Sequence, residues 1–171
     1  MLAYKVVVVG AYAVGKTTLV LNFTEHRFQE LYIPTIGVQF SVKDVYYDDE
    51  LVKLTIWDIA GQEEFKYVRT EFYKGANAQI LVYDVTRHQS LEEIKAWYDD
   101  VCKYAGDIPA LVLGNKNDLE SQKEIGYEYA KDYVEKLNFN KLIGVIETSA
   151  KLSKNVDKAF YDLTDYLVNK I

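Results

Sequence analysis

Residues 4–23 read YKVVVVGAYAVGKTTLVLNF, and this stretch decides the fold. The run up to Val9 is β-branched and apolar, which is typical of a buried strand. Residues 10–17 then match the pattern G-x-x-x-x-G-K-[ST], and residues 18–23 can begin a helix. A strand, a glycine loop and a helix in this order predict a phosphate-binding loop. The alternative, a glycine turn with a solvated lysine, is disfavoured by the flanking pattern.

The residue types in this loop suit phosphate chemistry. Gly10 and Gly15 allow a tight turn whose backbone N–H groups point inward. The N-terminus of the helix behind the loop adds partial positive charge. Lys16 supplies a cation to the terminal phosphates, and Thr17 offers a hydroxyl to Mg²⁺.

Composition describes a single globular domain spanning residues 1–171, with 49% apolar and 27% charged residues. The chain has no apolar run of about eighteen residues to cross a membrane and no signal peptide. The net charge of −6 argues against broad binding to nucleic acid or anionic lipid. Cys102 is the only cysteine, so no internal disulfide can form, which suits a cytoplasmic location. His26 and His88 are isolated, so no histidine-based metal site is expected.

The rest of the chain alternates between strand-like and helix-like patterns. Strand-like runs are 37–47 and 51–57, joined as a hairpin by residues 48–49, and then 78–84, 110–114 and 142–146. Helix-like runs are 65–74, a segment opened by the capping box at residues 90–93, 124–137 and 153–170. Six strands and five helices predict an α/β fold: a doubly wound, mostly parallel sheet with one antiparallel strand. Ligands of such sheets bind beyond the carboxyl ends of the strands, where the phosphate loop lies.

A second motif, WDIAGQ, occupies residues 57–62. Asp58 ends a strand, where its carboxylate can reach the shell of a Mg²⁺ ion. Gly61 lets a backbone N–H approach a γ-phosphate, and the amide of Gln62 can orient an attacking water. An Asp and a Gly in a plain turn would be the better interpretation if no phosphate loop preceded them.

A third motif, NKND, occupies residues 115–118, directly after a strand. A carboxylate at Asp118 can accept two parallel N–H bonds from guanine, and adenine offers no matching pair of donors. Lys116 can lie across the ring with its stem, and Asn115 can tie neighbouring loops together. The alternative is a polar turn ahead of a helix.

Two further segments complete the set of motifs. In ETSAK, residues 147–151, the backbone of Ala150 can donate to a base carbonyl, although such residues usually cap helices. In residues 27–37, Thr35 can present a second hydroxyl to Mg²⁺ and Phe28 can pack against the base. This second segment lacks periodicity, so we expect a mobile loop that γ-phosphate and Mg²⁺ order, as in a switch. An ordinary α-to-β connection is the alternative.

With these motifs in this order, nearly the whole chain resembles the Ras superfamily of small GTPases, and it is most similar to the Rab branch. The stretches typical of the branch are residues 32–40, 57–65 and 72–76. The resemblance implies the G-domain fold of P-loop NTPases. It also implies a molecular switch that binds GTP or GDP with Mg²⁺, hydrolyses GTP slowly, and recruits effectors in the GTP state, in membrane trafficking or related signalling.

The resemblance also implies roles for individual residues. The nucleotide would be held by Gly10, Ala13, Val14, Gly15, Lys16, Thr17, Thr18, Phe28, Thr35, Gly61, Asn115, Lys116, Asp118, Ser149, Ala150 and Lys151. Hydrolysis would depend on Gln62, Lys16, Thr35 and Gly61, and Mg²⁺ on Thr17, Thr35 and Asp58. Switches I and II would lie around residues 28–40 and 60–73. Effectors would meet an aromatic triad of Phe40, Trp57 and Phe72, for which plain packing is the other interpretation.

The implied partners are effectors, a nucleotide exchange factor and a GTPase-activating protein, with no nucleic acid, and a monomer is expected. The chain departs from the family pattern at Tyr12, where many relatives carry a small residue. We expect its ring to lie near the γ-phosphate and Gln62 and to hinder an arginine finger supplied in trans; a ring that points to solvent and changes little is the alternative. Glu64 stands where Rab proteins commonly carry an arginine, which leaves the set of partners open.

The chain ends without cysteines for lipidation, which leaves open a removed tail or a protein without a lipid anchor. Membrane association, at the cytosolic face, would need that tail.

Two alternatives for function remain open at this point. One is a GTP-loaded interaction module with little hydrolysis, which Tyr12 favours and Gln62 disfavours. The other is an ATP-using P-loop kinase, which the NKND motif disfavours.

Overall fold

Six strands form one sheet in the computed structural model, which describes residues 1–28 and 34–170. The strands are β1 (Leu2–Gly10), β2 (Val38–Tyr47), β3 (Glu50–Ile59), β4 (Ala78–Asp84), β5 (Ala110–Asn115) and β6 (Leu142–Glu147). Their order across the sheet is β2-β3-β1-β4-β5-β6. Only β2 and β3 pair antiparallel, and the other neighbours are parallel. The predicted mostly parallel sheet with one antiparallel strand is confirmed.

The helices alternate with the strands along the chain. They are α1 (Lys16–Glu25), α2 (Lys66–Tyr73), α3 (His88–Glu92), α4 (Ile94–Ala105), α5 (Tyr127–Lys136) and α6 (Val156–Lys170), with short 3₁₀ turns at Glu63–Phe65 and Glu120–Gln122. Only Glu93 separates α3 from α4, and its φ of −76° and ψ of −11° are helical. Together these two segments fill the place of one predicted helix, so the five expected helical positions are all occupied.

The central strand β1 explains why helices cover both faces of the sheet. Val6 and Val8 point into one core, which α1 and α6 close, whereas Val7 and Val9 point into the other, which α2 to α5 close. All four side chains are almost completely buried. A continuous apolar run is what a strand buried on both faces requires, because successive side chains alternate between the faces. The phosphate loop therefore leaves the sheet at its centre.

Three predicted helix starts are wrong. Ser90 does not cap a helix: it lies inside α3, where its Oγ accepts the Asp84 N–H at 2.9 Å. α5 begins after Ile125, since the N–H groups of Glu124 and Ile125 both bond to the carbonyl of Val85. α6 begins at Val156, because Ser153 and Asn155 hold left-handed φ values of 55° and 59° that a helix cannot include.

Part of the predicted switch I segment, residues 29–33, lies outside the described residues, as does Ile171. Two residues of the Rab-like stretch 32–40 fall in that gap. Among the residues that the structure describes, no helix is both long and apolar enough to span a bilayer.

Candidate functional site

The carboxyl ends of the parallel strands bring the predicted motifs together. Gly10 ends β1, Asp58 is the last residue but one of β3, and Asn115 ends β5. Glu147, where the ETSAK segment begins, ends β6. Since parallel strands end at a common edge, motifs more than a hundred residues apart in sequence line one surface.

The two glycines of the phosphate loop are packed too tightly for any side chain. A Cβ at Gly10 would lie 2.3 Å from the carbonyl oxygen of Val82 in β4, and φ is +150°. A Cβ at Gly15 would lie 2.2 Å from Nδ2 of Asn115, and φ is +98°. The predicted need for glycine therefore has two physical sources, the backbone conformation and the close approach of β4 and β5.

Three successive carbonyls of the loop accept hydrogen bonds from long-range donors. Arg87 Nη1 donates to the oxygen of Tyr12 at 2.7 Å, Lys116 Nζ to that of Ala13 at 2.9 Å, and Asn115 Nδ2 to that of Val14 at 3.1 Å. The predicted role of Asn115 in tying loops together agrees with this geometry. Arg87 was missed by the sequence reasoning, although it follows the end of β4 by only three residues.

Asp84, which ends β4, was also missed. It is almost completely buried and lies 2.8 Å from the Lys116 ammonium. Its Oδ1 also accepts the backbone N–H of Thr86 at 2.8 Å. The carboxylate therefore balances the charge of Lys116 and holds it over the phosphate loop. The signal available in sequence was a charged residue at the end of a mostly apolar strand.

Lys16 is buried beneath the loop, with 7% of its surface exposed. Its Nζ donates to the carbonyls of Gly10 at 2.9 Å and Ala11 at 2.7 Å. Burial lowers the pKa of Lys16 to about 8; Asp58 opposes this shift, whereas the charges of Arg69 and Arg87 add to it. A buried cation beside two further cations makes this end of the sheet a region of positive potential that favours anions.

The three residues predicted to bind Mg²⁺ converge. The hydroxyl oxygens of Thr17 and Thr35 lie 2.7 Å apart, and Thr17 Oγ1 donates to Asp58 Oδ2 at 2.5 Å. Thr35 Oγ1 is 3.5 Å from the same carboxylate oxygen. Asp58 Oδ1 is buried and has no hydrogen-bond partner in the described part of the chain. Burial raises the pKa of Asp58, and its bonds to Thr17 and Thr35 and the charge of Lys16 oppose that rise.

Hydroxyl and carboxylate oxygens are the ligands that hard divalent cations prefer. A bound cation would also compensate the buried carboxylate, which burial alone destabilises in its charged form. These residues therefore fit Mg²⁺.

A cleft of about 470 Å³ lies beside the phosphate loop and collects the residues predicted to hold the base. Its lining includes Ala13, Gly15, Thr18, Phe28, Asn115, Lys116, Asp118, Ala150 and Lys151. Phe28 is 39% exposed at the edge of the described segment. Motifs from the beginning, the middle and the end of the chain therefore share one cleft whose size suits a small organic ligand.

Hydrogen bonds between the loops shape this cleft. Ser149 Oγ donates to Asp118 Oδ1 at 2.7 Å, which orients the carboxylate. Asn115 Oδ1 accepts from the hydroxyl of Thr148 and from the N–H of Ala150, each at 3.3 Å. The Ala150 N–H, expected to meet a base carbonyl, is thus engaged by Asn115 through a long bond.

Gly61 and Gln62 lie against the phosphate loop. A Cβ at Gly61 would lie 2.6 Å from the carbonyl oxygen of Gly10 and 2.8 Å from the backbone nitrogen of Tyr12. Gln62 and Tyr12 line a second cleft, of about 560 Å³, between the loop, α2 and α4. Tyr12 is 42% exposed there. The structure thus brings Tyr12 and Gln62 together, as the sequence led us to expect.

Arg69 of α2 is a third functional candidate that the sequence analysis missed. It is buried and donates from Nη1 to the carbonyl of Gln62 at 3.1 Å. Its guanidinium carbon lies 4.4 Å from the ring centre of Trp97, and its Nε lies 3.9 Å from Asp100 Oδ2. A buried cation on a short helix is unusual, and the sequence alone did not indicate which residues would surround it.

The three aromatic residues predicted to meet effectors are neighbours. The rings of Phe40 and Trp57 meet edge to face at 4.5 Å, and Phe72 lies 6.1 Å from Trp57. Lys5 Nζ sits 3.5 Å from the centre of the Trp57 ring on the sheet. Phe40 is 55% exposed, whereas Trp57 and Phe72 are half-buried and pack against the core, so the cluster reaches the surface through Phe40.

Phosphate, metal and base positions arranged in this way along one sheet edge define a P-loop protein of the guanine-nucleotide-binding class. The sequence model of the Ras family matches residues 5–169. The chain therefore belongs to the Ras family, and it is a Rab-like small GTPase, an enzyme that hydrolyses GTP.

Several relatives carry Rab names. The Ras-related protein Rab-1C of Dictyostelium discoideum is 42% identical over 160 residues, covering 93% of this chain and 78% of the relative. RABD2b of Arabidopsis thaliana is 40% identical over 162 residues, covering 94% of this chain and 78% of the relative. Rab-2B of Dictyostelium discoideum is 39% identical over 169 residues, covering 98% of this chain and 82% of the relative.

Proposed function

We propose that this chain is a single G domain that switches between GTP-bound and GDP-bound states with Mg²⁺, hydrolyses GTP slowly, and engages effector proteins in the GTP state. The observation that carries the proposal is the 2.7 Å approach of the Thr35 hydroxyl to that of Thr17. Thr17 belongs to the helix behind the phosphate loop, whereas Thr35 belongs to the connection between α1 and β2. A cation shared by the two hydroxyls would couple that connection to the nucleotide.

The roles of the site residues follow from their chemistry. Lys16 and the inward N–H groups of the loop bind the β- and γ-phosphates, and Thr18 and Val14 belong to the same anion cradle. Thr17 and Thr35 would hold Mg²⁺, with Asp58 behind them, and the ion would neutralise charge on the phosphates. Asp118 selects guanine, with Ser149, Ala150 and Lys151 completing the base cleft.

Hydrolysis depends on the segment that follows β3. The backbone of Gly61 touches the phosphate loop, which supports a role for its N–H at the γ-phosphate. Gln62 orients the attacking water, and its main-chain carbonyl is held by Arg69. Positioning of this kind accelerates a reaction that needs little covalent help from the protein.

The contiguous triad of exposed Phe40 and half-buried Trp57 and Phe72 supports effector binding through switches I and II. We further propose that an exchange factor and a GTPase-activating protein regulate the switch, and that it acts as a monomer in the cytoplasm and at cytosolic membrane faces in trafficking. Hindrance of an arginine finger by Tyr12 stays a prediction, supported by the cleft that Tyr12 shares with Gln62.

The test compares the wild type with Gln62→Ala and with a control, Gln89→Ala, which removes an exposed glutamine that does not itself line the cleft of Gln62. The nucleotide that copurifies is identified first, and single-turnover GTP hydrolysis is then followed with Mg²⁺. We expect bound guanine nucleotide, a wild-type rate on the order of 10⁻⁴ s⁻¹, and a rate roughly 100-fold lower in Gln62→Ala. Gln89→Ala should match the wild type.

Each alternative has its own result in this assay. Bound GTP that persists unchanged in the wild type and in Gln62→Ala would contradict a hydrolytic switch and indicate an interaction module. Bound adenine nucleotide would overturn the role given to Asp118.

A further inference from the structure

We propose that Arg87 is a positioning residue of the phosphate site: it fixes the peptide group between Tyr12 and Ala13, so that the N–H of Ala13 faces the bound phosphates. The inference rests on the proposed nucleotide-binding function and adds a residue that the motifs of the sequence do not include. Arg87 lies just before α3, outside the phosphate loop and both switch segments.

The first step is the geometry of one peptide group. Arg87 Nη1 donates to the carbonyl oxygen of Tyr12 at 2.7 Å, across 75 positions in sequence. The described residues contain no cis peptide bond, so this group is trans, with its C=O and N–H pointing in opposite directions. A carbonyl held outward by Arg87 therefore directs the N–H of Ala13 to the inner side of the loop.

The second step is that Arg87 extends a series. Lys116 Nζ holds the carbonyl of Ala13 at 2.9 Å, and Asn115 Nδ2 holds that of Val14 at 3.1 Å. By the same peptide geometry these bonds turn the N–H groups of Val14 and Gly15 inward. Three consecutive N–H groups aimed at one point form an anion-binding concavity. The first of them is the N–H of Ala13, and Arg87 bonds to the carbonyl on the opposite side of the same peptide group.

The third step concerns backbone strain at Ala13. Its φ of +61° is left-handed, which costs free energy for any residue with a Cβ. Such a conformation persists only where surrounding contacts determine it. Arg87 and Lys116 bond the carbonyls immediately before and after this strained residue, so the two cations hold it from both sides.

The fourth step is electrostatic. A charged donor on a carbonyl polarises the whole peptide group, which makes the N–H on its other side a stronger donor to an anion. The charge of Arg87 acts at short range, since its Nη1 lies 2.7 Å from the oxygen of this peptide group. Arg87 therefore both orients and strengthens the Ala13 donor.

The side chain of Arg87 can be changed without disturbing the helix that follows it. Only its main chain caps α3, where its carbonyl accepts the N–H of Ser90 at 3.0 Å and the hydroxyl of Ser90 at 2.6 Å. Arg87→Met keeps the length of the stem and removes the donor, whereas Arg87→Lys keeps a cationic donor. Lys95→Met is the matched control, because Lys95 is an exposed cation on α4 paired with Asp99.

The experiment measures the release of a fluorescent GDP analogue from Mg²⁺-loaded protein into excess unlabelled GDP. We expect release to be about tenfold faster in Arg87→Met, as for the loss of a hydrogen bond to a charged group. Arg87→Lys should stay within about threefold of the wild type, and Lys95→Met should match it. In ¹H–¹⁵N spectra of the GDP-loaded protein, Arg87→Met should move the Ala13 amide proton upfield and leave the Gly15 amide in place.

The amide readout separates positioning from general support of the fold, which would not single out Ala13. Wild-type release rates in Arg87→Met, or equal acceleration in Lys95→Met, would overturn the inference. An unmoved Ala13 amide in Arg87→Met would overturn it as well. Failure of the wild type to bind GDP would instead overturn the proposed function, so the two failures are distinguishable.

Discussion

We propose that Asp118 decides which base the cleft accepts. Its carboxylate presents two acceptor oxygens in one plane, and one of them is oriented by Ser149 Oγ at 2.7 Å. A carboxylate of this kind matches two adjacent N–H donors on guanine. An amide in the same place offers one acceptor and one donor, so it matches a base edge with one N–H and one carbonyl.

We therefore expect Asp118→Asn to shift the base specificity of the cleft from guanine towards xanthine. Affinity for GDP should fall on the order of 100-fold, because a buried donor of guanine loses its partner, and affinity for xanthosine diphosphate should rise. Equilibrium titration with fluorescent analogues of both nucleotides measures the exchange. Asp107→Asn, at an exposed site near the start of β5, is the control, and equal losses for both nucleotides in Asp118→Asn would contradict the assignment.

At Gly61 the constraint on the residue type is steric, because the site has no room for a side chain. The atoms that a Cβ would meet, the Gly10 oxygen and the Tyr12 nitrogen, are both backbone atoms of the phosphate loop. Backbone cannot move aside as a flexible side chain can. Any larger residue at position 61 must therefore separate the segment after β3 from the loop.

At the scale of elements, α2 is tied to α4 by one buried cation. Arg69 stacks on Trp97 of α4, pairs with Asp100, and donates to the carbonyl of Gln62 ahead of its own helix. Tyr73 anchors the end of α2 in the core, whereas Lys66, Tyr67 and Val68 at its start are exposed. The Arg69 contacts therefore restrain the start of the helix, next to the segment that carries Gln62.

Arg69→Met should loosen this element more than the rest of the molecule. We expect amide hydrogen exchange in residues 62–73 to accelerate by roughly 10-fold to 100-fold, as for the loss of a buried hydrogen bond from a charged donor. Single-turnover GTP hydrolysis should slow in parallel, because Gln62 is less well held.

Lys66→Met, at an exposed position of the same helix, is the control for removing a charge. Unchanged exchange in residues 62–73 of Arg69→Met would show that packing alone holds α2. Exchange accelerated equally throughout the sheet would instead indicate global destabilisation.

For the whole molecule, the layer formed by α1 and α6 closes the core under the phosphate loop. Phe23 of α1 and Phe160 of α6 stack in parallel with ring centres 3.8 Å apart, and Phe160 is fully buried. Asn22, next to Phe23, donates to the carbonyl of Ala150 in the base cleft. The packing of these helices therefore supports both the phosphate loop and the base-binding loop.

Phe160→Ala should lower the free energy of unfolding by about 3–5 kcal/mol, because it leaves a cavity in a closed core. Urea unfolding with saturating Mg²⁺ and GDP measures the change, with ligand kept equal since binding adds its own stabilisation. Lys158→Ala, on the exposed side of α6, should stay within about 0.5 kcal/mol of the wild type. A loss below about 1 kcal/mol in Phe160→Ala would contradict the stacking contribution.

Much of the fold was predictable, because local patterns carry it. The continuous apolar run from Val6 to Val9 identified a buried strand, and the other five strands were recognised by their strand-like patterns. Helix starts were predicted less well. The hydroxyl of Ser90, for example, accepts the N–H of Asp84 in β4 and donates to the carbonyl of Arg87 instead of capping a helix. Which of these bonds forms depends on tertiary packing.

By itself, the sequence determined which residues are candidates for binding phosphate, metal and base, because these candidates lie in short motifs whose spacing sets local geometry. The tertiary structure alone decided which distant groups support them. Arg87 reaches the carbonyl of Tyr12 from 75 positions away, and Arg69 finds Trp97 on another helix. No local pattern encodes such contacts, since they form only when packed helices and strand ends bring side chains within hydrogen-bond distance.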